Sequence, residues 1–165
     1  LLYVNENVRI GPYLKGGGQE RNMRAGTENV YGIVGFARAL ELATEHYEEE
    51  RAHIDGIKKY AMKHMLEKIE NVGFNGDPAG NSLYTVLSVS FPKTERSEML
   101  LLNLDIHGIC ASGGSACTSG ADQGSHVIRA INNDPNRITV RFSFSKFNTK
   151  EEVDFAIETI NEVLS

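Results

Sequence analysis

Apolar residues recur at helical spacing along a long stretch of the chain, from about Asn29 to Val72. They form two stripes, the first of Ile33, Ala37 and Leu40 and the second of Ile54, Ile57, Ala61 and Met65. Steps of three and four residues predict amphipathic helix. The acidic segment from Tyr47 to Arg51 lies between the stripes and is typical of a solvated face. We therefore expect one long helix with a bend, or two consecutive helices.

Two later segments alternate apolar and polar residues, which predicts strands with one buried face. The first runs from Leu83 to Phe91 and the second from Ile138 to Phe144. A shorter strand is expected over residues 109–111, and residues 1–10 predict two very short strands around a turn. The chain therefore combines sheet with helix.

Three further helices complete the pattern. Short apolar helices are expected over Glu98–Asp105 and from the N-cap Ser125 to Ile131. The last helix begins at a capping box, formed by Thr149 with Glu152 three residues later. Elements in this order predict an α/β to α+β fold, in which helices cover one face of a small sheet and a long connecting helix comes first.

Composition and charge exclude several classes of protein. Of the 165 residues, 41% are hydrophobic and 24% charged, as in ordinary globular proteins. Seventeen basic residues against 22 acidic ones give a net charge of −5, which disfavours nucleic-acid binding. No apolar stretch approaches the roughly 20 residues that cross a bilayer. We expect no membrane association and a cytoplasmic location.

The two cysteines lie in different sequence environments. Cys117 lies among small and polar residues between Ser112 and Gly120, where a thiol is accessible and able to act as a nucleophile. A small residue filling a turn explains the same pattern. Cys110 has apolar neighbours and is typical of a buried small hydrophobe. Two cysteines are too few for a disulfide-stabilised secreted domain, which favours a reducing compartment.

Two other segments carry candidate chemistry. The segment from Gly16 to Thr27 combines glycines, guanidinium groups and a hydroxyl, which suit a phosphate, although a glycine triplet is usually a flexible loop. Arg141 alternates with Val140 and Phe142, so its side chain lies on the other face of the strand. There it either pairs with a substrate carboxylate or simply faces solvent. The five histidines show no ligand spacing, and we predict no metal site.

Three segments together resemble the cysteine desulfurases of the nitrogen-fixation and iron–sulfur-assembly branch, which are fold-type I pyridoxal-phosphate enzymes of the class-V aminotransferase family. They are GGGQER followed by RAGT at residues 16–21 and 24–27, SGGSACTS at residues 112–119, and RFS at residues 141–143. They occur in the family's order, with a long helical segment between the first two. The similarity covers essentially the whole chain.

The resemblance implies a role for three residues. Cys117 resembles the persulfide-forming cysteine, Thr27 the residue that reaches the cofactor phosphate of the partner subunit in a homodimer, and Arg141 the anchor of the substrate carboxylate. The complete enzyme would convert L-cysteine to L-alanine with pyridoxal phosphate and pass sulfur to an acceptor or iron–sulfur scaffold protein. Residues 1–45 would be the tail of the large cofactor-binding domain and the start of the connecting helix, and residues 46–165 the C-terminal small domain with the catalytic cysteine loop.

The family's Schiff-base lysine has no counterpart in the chain. In the family that lysine shortly precedes a Lys-Gly-x-Gly-x-Leu-Tyr-Val segment, whose end resembles Leu2-Tyr3-Val4. Because the sequence also begins without Met, we expect the lysine in an upstream portion and an inactive isolated chain. Two other interpretations stay open: an interaction or dimerisation module without turnover, and a cofactor-free thiol sulfurtransferase that uses Cys117.

Overall fold

The structure is a computed structural model that describes residues 1–113, 125–131 and 134–165. It divides into two compact units, Leu1–His46 and Tyr47–Ser165. Within the described residues, no helix is both long and apolar enough to cross a membrane.

The first unit contains one long helix, α1 (Val30–Glu45), and a single 3₁₀ turn at Glu20–Asn22. The side chain of Asn29 caps α1 by accepting a hydrogen bond from the amide of Gly32 at 3.1 Å. None of the α1 residues is buried within the unit, including its predicted apolar stripe. The stripe is exposed because the unit has no sheet or second long helix to cover it.

The two short strands predicted over residues 1–10 are wrong. That segment is irregular, with a turn in which the amide of Val8 donates to the carbonyl of Asn5 at 2.9 Å. The side chain of Asn5 closes the same turn by accepting from the amide of Asn7 at 3.0 Å. Local asparagine bonding of this kind competes with extended strand, and the unit offers no neighbouring strand to pair with.

The second unit is a three-stranded antiparallel sheet with helices on one face. Its helices are α2 (Tyr47–Lys68), α3 (Leu100–Ile106), α4 (His126–Ile131) and α5 (Lys150–Leu164), and its strands are β1 (Gly73–Phe74), β2 (Val86–Pro92) and β3 (Arg137–Ser143). The strand order is β1-β2-β3, and Val89 of β2 lies opposite Val140 of β3. The predicted fold class is therefore confirmed, and the long helical segment is two consecutive helices.

The core of the second unit lies between the sheet and helices α2, α3 and α5. Alternate strand residues and one stripe of each helix meet there, namely Leu87, Val89, Phe91, Val140 and Phe142 with Ile57, Ala61, Met65, Leu100, Leu104, Val153, Ile157 and Ile160. All of these side chains are buried. The predicted stripe of α2 is thus confirmed, one face of α5 is buried in the same core, and the opposite sheet face carries polar residues.

Local caps fix the ends of the helices as the sequence predicts. Thr149 accepts from the amide of Glu152 at 3.3 Å, and the Glu152 carboxylate accepts from the amide of Thr149 at 3.1 Å. These two bonds are the predicted capping box. Ser125 accepts a weaker bond from the amide of Ile128 at 3.4 Å, as its predicted N-cap position requires.

The strand predicted over residues 109–111 is wrong. Helix α3 ends at Ile106 and is followed by Gly108, whose φ of 77° is left-handed, while the amide of Ile109 donates back to the carbonyl of Leu104 at 2.8 Å. This closure is a helix C-cap, and it directs the chain away from a ladder. The segment reaches β3 only at Ser112, which forms an isolated bridge with Arg141.

Candidate functional site

Arg141 lies on the polar face of the sheet in the second unit. Its neighbours on β3, Val140 and Phe142, are buried in the core, whereas Arg141 itself is exposed. Its amide donates to the carbonyl of Ser112 at 2.7 Å, and the amide of Ser112 donates to its carbonyl at 3.1 Å. A rigid, fully paired backbone therefore presents this guanidinium to solvent.

One side-chain hydrogen bond orients the guanidinium. The Nε of Arg141 donates to the Oγ of Ser112 at 3.1 Å, and the same hydroxyl donates to the carbonyl of Arg141 at 3.4 Å. No ion pair among the described residues involves Arg141. A carboxylate that accepts two parallel N–H bonds is the ligand that such a planar fork prefers.

A second arginine on the same strand, Arg137, uses its guanidinium to hold neighbouring segments together. Arg137 donates from Nε to the Oγ of Ser90 at 2.6 Å and from Nη2 to the carbonyls of Ser90 and Asn71 at 2.7 and 2.8 Å. These three bonds hold β3 to β2 and to the segment before β1. Arg137 is therefore a matched internal reference for Arg141. It lies on the same strand and the same sheet face, but its guanidinium binds three partners, whereas the Nη groups of Arg141 have no hydrogen-bond partner among the described residues.

The polar face also contains a buried amide. The Nδ2 of Asn75 donates to the hydroxyls of Ser88 and Thr139 at 3.1 and 3.2 Å, and its amide donates to the carbonyl of Ser88 at 2.9 Å. Its Oδ1 is buried without a hydrogen-bond partner in the described part of the chain. Two of these bonds hold Ser88, which lies opposite Arg141 on the neighbouring strand.

The sequence indicated no role for Asn75 or for Ser112, although Ser112 begins the segment 112–119 that carries part of the resemblance. Each contacts β3 through space from a segment far away in the sequence, at separations of 64 and 29 residues. Asn75 belongs to a turn-rich segment and Ser112 to a run of small residues, so nothing in the local pattern distinguishes either one.

The predictions for the two cysteines fare differently. Cys117 lies in residues 114–124, outside the described residues, and its predicted role stays a prediction. Cys110 is exposed within the chain, so the expectation of a buried small hydrophobe is wrong. The reason is the missing strand: after the cap at Gly108, residues 109–111 enter no sheet, and Cys110 is exposed although Ile109 and Ala111 pack against the core. Burial therefore does not protect Cys110 from reagents.

In the first unit, Thr27 follows a loop that polar contacts close on itself. The Oε1 of Gln19 accepts from the amide of Gly26 at 3.2 Å. The Nη1 of Arg24 donates to the carbonyls of Gly26 and Thr27 at 3.2 and 3.0 Å. Thr27 is exposed, so its hydroxyl is accessible to a ligand.

The same loop contains a strained turn. Glu20, Arg21 and Asn22 all have left-handed φ values, of 48°, 55° and 64°. For residues with a Cβ this conformation costs roughly 1–2 kcal/mol per residue, and three in succession are rare. The amide of Met23 donates to the carbonyl of Glu20 at 2.9 Å and stabilises the turn.

The described residues fit one part of a pyridoxal-phosphate site and not another. The exposed hydroxyl of Thr27 suits a phosphate oxygen. The buried lysine of the second unit, Lys58, is 2% exposed, and its Nζ donates to the Oγ of Ser82 at 2.9 Å and to the carbonyl of Leu83 at 3.0 Å. Burial lowers the pKa of Lys58, but these bonds tie the amine to the loop before β2. Lys58 therefore offers no free amine for a cofactor aldehyde.

The cavity beside Lys58 does not include Arg141, and the described residues form no metal site. Lys58 lies beside a cavity of about 350 Å³ that Arg51, Asp55 and Tyr84 also line, and Arg141 is not part of it. The described residues contain no cluster of three or more histidine, cysteine or acidic side chains able to hold a metal ion.

Comparison with known proteins connects these features to a family. The family Aminotransferase class-V matches residues 4–155. A cysteine desulfurase of Gluconacetobacter diazotrophicus is 40% identical over 99% of this chain, and the cysteine desulfurase NifS of Azotobacter vinelandii is 37% identical over 100% of it. The chain spans 41% of the length of each of these relatives.

The solved structures agree with the sequence matches. A NIFS-like protein superposes with a TM-score of 0.77 and 34% identity over 98% of this chain and 41% of its own. A NifS-like protein from Rickettsia africae gives a TM-score of 0.75 at 30% identity. The resemblance to cysteine desulfurases is thereby confirmed in both sequence and fold. The chain belongs to the class-V aminotransferase family.

Proposed function

We propose that this chain is the sulfur-accepting part of a pyridoxal-phosphate-dependent cysteine desulfurase, which converts L-cysteine to L-alanine. The observation that supports it most directly is the exposed guanidinium of Arg141, held by Ser112 and without an acidic partner among the described residues. The similarity to proteins named cysteine desulfurase along 99% of the chain supports the same reaction.

Each proposed residue has one task. Arg141 binds the carboxylate of L-cysteine through its two Nη groups, while Ser112 keeps the Nε occupied. Thr27 donates its hydroxyl to the cofactor phosphate of the partner subunit in a homodimer. Residues 1–45 belong to the large cofactor-binding domain and the start of the connecting helix, and residues 46–165 form the small domain.

The chemistry balances with a single thiol as acceptor. The Cβ–S bond of the substrate breaks and an S–S bond forms on Cys117, so cysteine and one thiol give alanine and one persulfide. Pyridoxal phosphate, when bound, supplies the electron sink that weakens the Cβ–S bond. The persulfide then passes to a sulfur acceptor or iron–sulfur scaffold protein, and the reducing cytoplasm keeps Cys117 available as a thiol.

A second candidate is an interaction or dimerisation module without turnover. The exposed apolar residues on α1 favour it, because such a surface is typical of a contact with another protein segment. A visible absorption spectrum of the complete protein separates the two functions. A Schiff-base cofactor absorbs in the visible range, and a bare module does not.

The decisive experiment compares the two cysteines in the complete enzyme. Cys117→Ser should abolish alanine release from L-cysteine and persulfide formation while the visible cofactor band stays intact, since a hydroxyl is a far poorer nucleophile toward sulfur. Cys110→Ser is the matched control and should turn over like the wild type. Because Cys110 is exposed, labelling alone does not discriminate the two, and peptide mapping must locate the persulfide.

Three results would contradict the proposal. A persulfide mapped to Cys110, or wild-type turnover in Cys117→Ser, would remove the assigned role of Cys117. For the 165-residue chain alone, borohydride in the presence of pyridoxal phosphate should trap no stoichiometric lysine adduct. An adduct on any of its lysines would show that the chain carries its own Schiff-base residue.

A further inference from the structure

We infer that Ser112 is a positioning residue for substrate binding, acting through Arg141. The inference rests on the proposed function only where it names the carboxylate of L-cysteine as the ligand. The contact between Ser112 and Arg141 itself stands on the geometry of the second unit.

The hydroxyl of Ser112 both accepts from and donates to the same arginine. The Oγ accepts from Nε at 3.1 Å and donates to the main-chain carbonyl of Arg141 at 3.4 Å. A serine hydroxyl has one hydrogen to donate and lone pairs to accept, so both bonds form at once. With Nε occupied, the two Nη groups are the donors of Arg141 that have no hydrogen-bond partner in the described part of the chain.

The backbone makes this contact stiff. The amides and carbonyls of the two residues bond in both directions, at 2.7 and 3.1 Å, so Ser112 cannot shift without breaking the bridge. Arg141 is held from below by the packed neighbours Val140 and Phe142. A long, flexible arginine side chain on an exposed face otherwise samples many rotamers, and fixing one lowers the entropy cost of binding a carboxylate.

Other residues on the same face do not make this contact. Ser143 lies two residues after Arg141 on β3, and it forms no side-chain hydrogen bond among the described residues. Arg137 takes its partners from β2 and the segment before β1. Ser143 is therefore a control that removes a hydroxyl from the same strand and face without touching the guanidinium.

The test compares Ser112→Ala, Ser112→Thr and Ser143→Ala in the complete holoenzyme. Because Arg141 is exposed, Ser112→Ala should raise the KM for L-cysteine by roughly threefold to tenfold with kcat nearly unchanged. Ser112→Thr keeps the hydroxyl and should restore the wild-type KM. A purely structural role would instead lower the amount of active enzyme, which reduces the apparent kcat and leaves KM unchanged.

A second measurement does not depend on activity. In the 165-residue chain, NMR should show faster hydrogen exchange at the Arg141 Nε–H in Ser112→Ala than in the wild type, and wild-type exchange in Ser112→Thr and Ser143→Ala. Unchanged exchange in Ser112→Ala, or an equal KM increase in Ser143→Ala, would overturn the inference. If the wild-type holoenzyme released no alanine, the proposed function would fail, and the exchange rates would still decide whether Ser112 holds Arg141.

Discussion

Helices α1 and α2 follow each other along the chain and carry apolar residues at the same spacing, yet only α2 buries them. Ile57 of α2 is 3% exposed, whereas Ile33 of α1 is 53% exposed within its unit. The difference lies in what each unit offers as a partner. The second unit has a three-stranded sheet and α5, and the first has only irregular chain and one 3₁₀ turn.

The comparison teaches that helical periodicity predicts a helix but not its burial. An amphipathic helix gains most of its stability from packing rather than from propensity. We therefore place the folding stability of the chain in the second unit. The candidate site residues divide in the same way, because Arg141 lies on a packed sheet while Thr27 depends on polar contacts within one loop.

The largest expected effect is a loss of folding stability, and it should distinguish a phenylalanine of β2 from a phenylalanine of α1. Phe91 of β2 is fully buried, and Phe91→Ala should lower the free energy of unfolding by about 3–5 kcal/mol through lost burial and a cavity. Phe36 of α1 is 52% exposed, and Phe36→Ala should change it by less than about 1 kcal/mol. Urea denaturation of the 165-residue chain measures both. Equal losses would mean that α1 belongs to the same cooperative core.

The next effect separates the candidate site residues by the ligand that each one binds. In the complete enzyme, Arg141→Ala should raise the KM for L-cysteine sharply, because losing a bidentate contact costs roughly 2–5 kcal/mol when the substrate carboxylate is left buried and unpaired. Thr27→Val should leave that KM nearly unchanged and weaken retention of pyridoxal phosphate. Steady-state kinetics and cofactor titration distinguish the two readouts.

Arg137 provides the control for this pair. Arg137→Ala should reduce stability because it removes bonds to Ser90 and Asn71, but it should not raise the KM for L-cysteine. An unchanged KM in Arg141→Ala would assign Arg141 to the solvent face and remove the substrate contact from the proposed function.

Most of the second unit was predictable from the sequence, and the reason is local. Residues close together in the sequence determine the alternation in β2 and β3, the stripe of α2 and the capping box at Thr149. Arg141 was assigned to the polar face by the same alternation. Wherever one short pattern determines both the element and its buried face, sequence reasoning succeeded.

The failures have two causes, a local turn or cap that replaces a strand and a partner that lies far away in the sequence. The strand expected around Cys110 has apolar residues, but the cap at Gly108 turns the chain away from the ladder. Ser112 carries no distinguishing pattern, because its importance comes from a bridge to a residue 29 positions later. Residues 1–10 alternate, yet the asparagine turn at Asn5 replaces the strands.

A smaller effect on folding stability is expected from removing the N-cap of α5, and the N-cap of α1 provides the comparison. Thr149→Ala removes the capping box of α5, and it should lower the free energy of unfolding by about 1 kcal/mol because α5 packs on the core. Asn29→Ala removes the cap of α1 and should lower its helix content without moving the cooperative transition. Circular dichroism and urea denaturation report the two quantities separately. A shifted transition in Asn29→Ala would contradict the separation of the units.

The smallest effect is the acid response of the capping box. The side chain of Asn148 and the amide of Thr149 donate to the Glu152 carboxylate at 3.0 and 3.1 Å and lower its pKa. A carboxyl group whose pKa is lower in the folded state stabilises the fold above its unfolded pKa of about 4.3. That contribution falls as the pH drops through the lower folded value.

Glu152→Gln tests this response. The variant should lose part of the wild-type difference in urea midpoint between neutral pH and a pH below the ordinary carboxyl range. Some dependence of the urea midpoint on pH should remain in the variant, because the pKa of Glu151 is also lowered. Its main cause is a hydrogen bond from the backbone amide of Glu151 to its own carboxylate. Glu41→Gln on α1 is the matched control, and its midpoint should follow the wild type at every pH, since α1 lies outside the cooperative core. The same acid response in Glu152→Gln and the wild type would show that the cap contributes through geometry alone and not through charge.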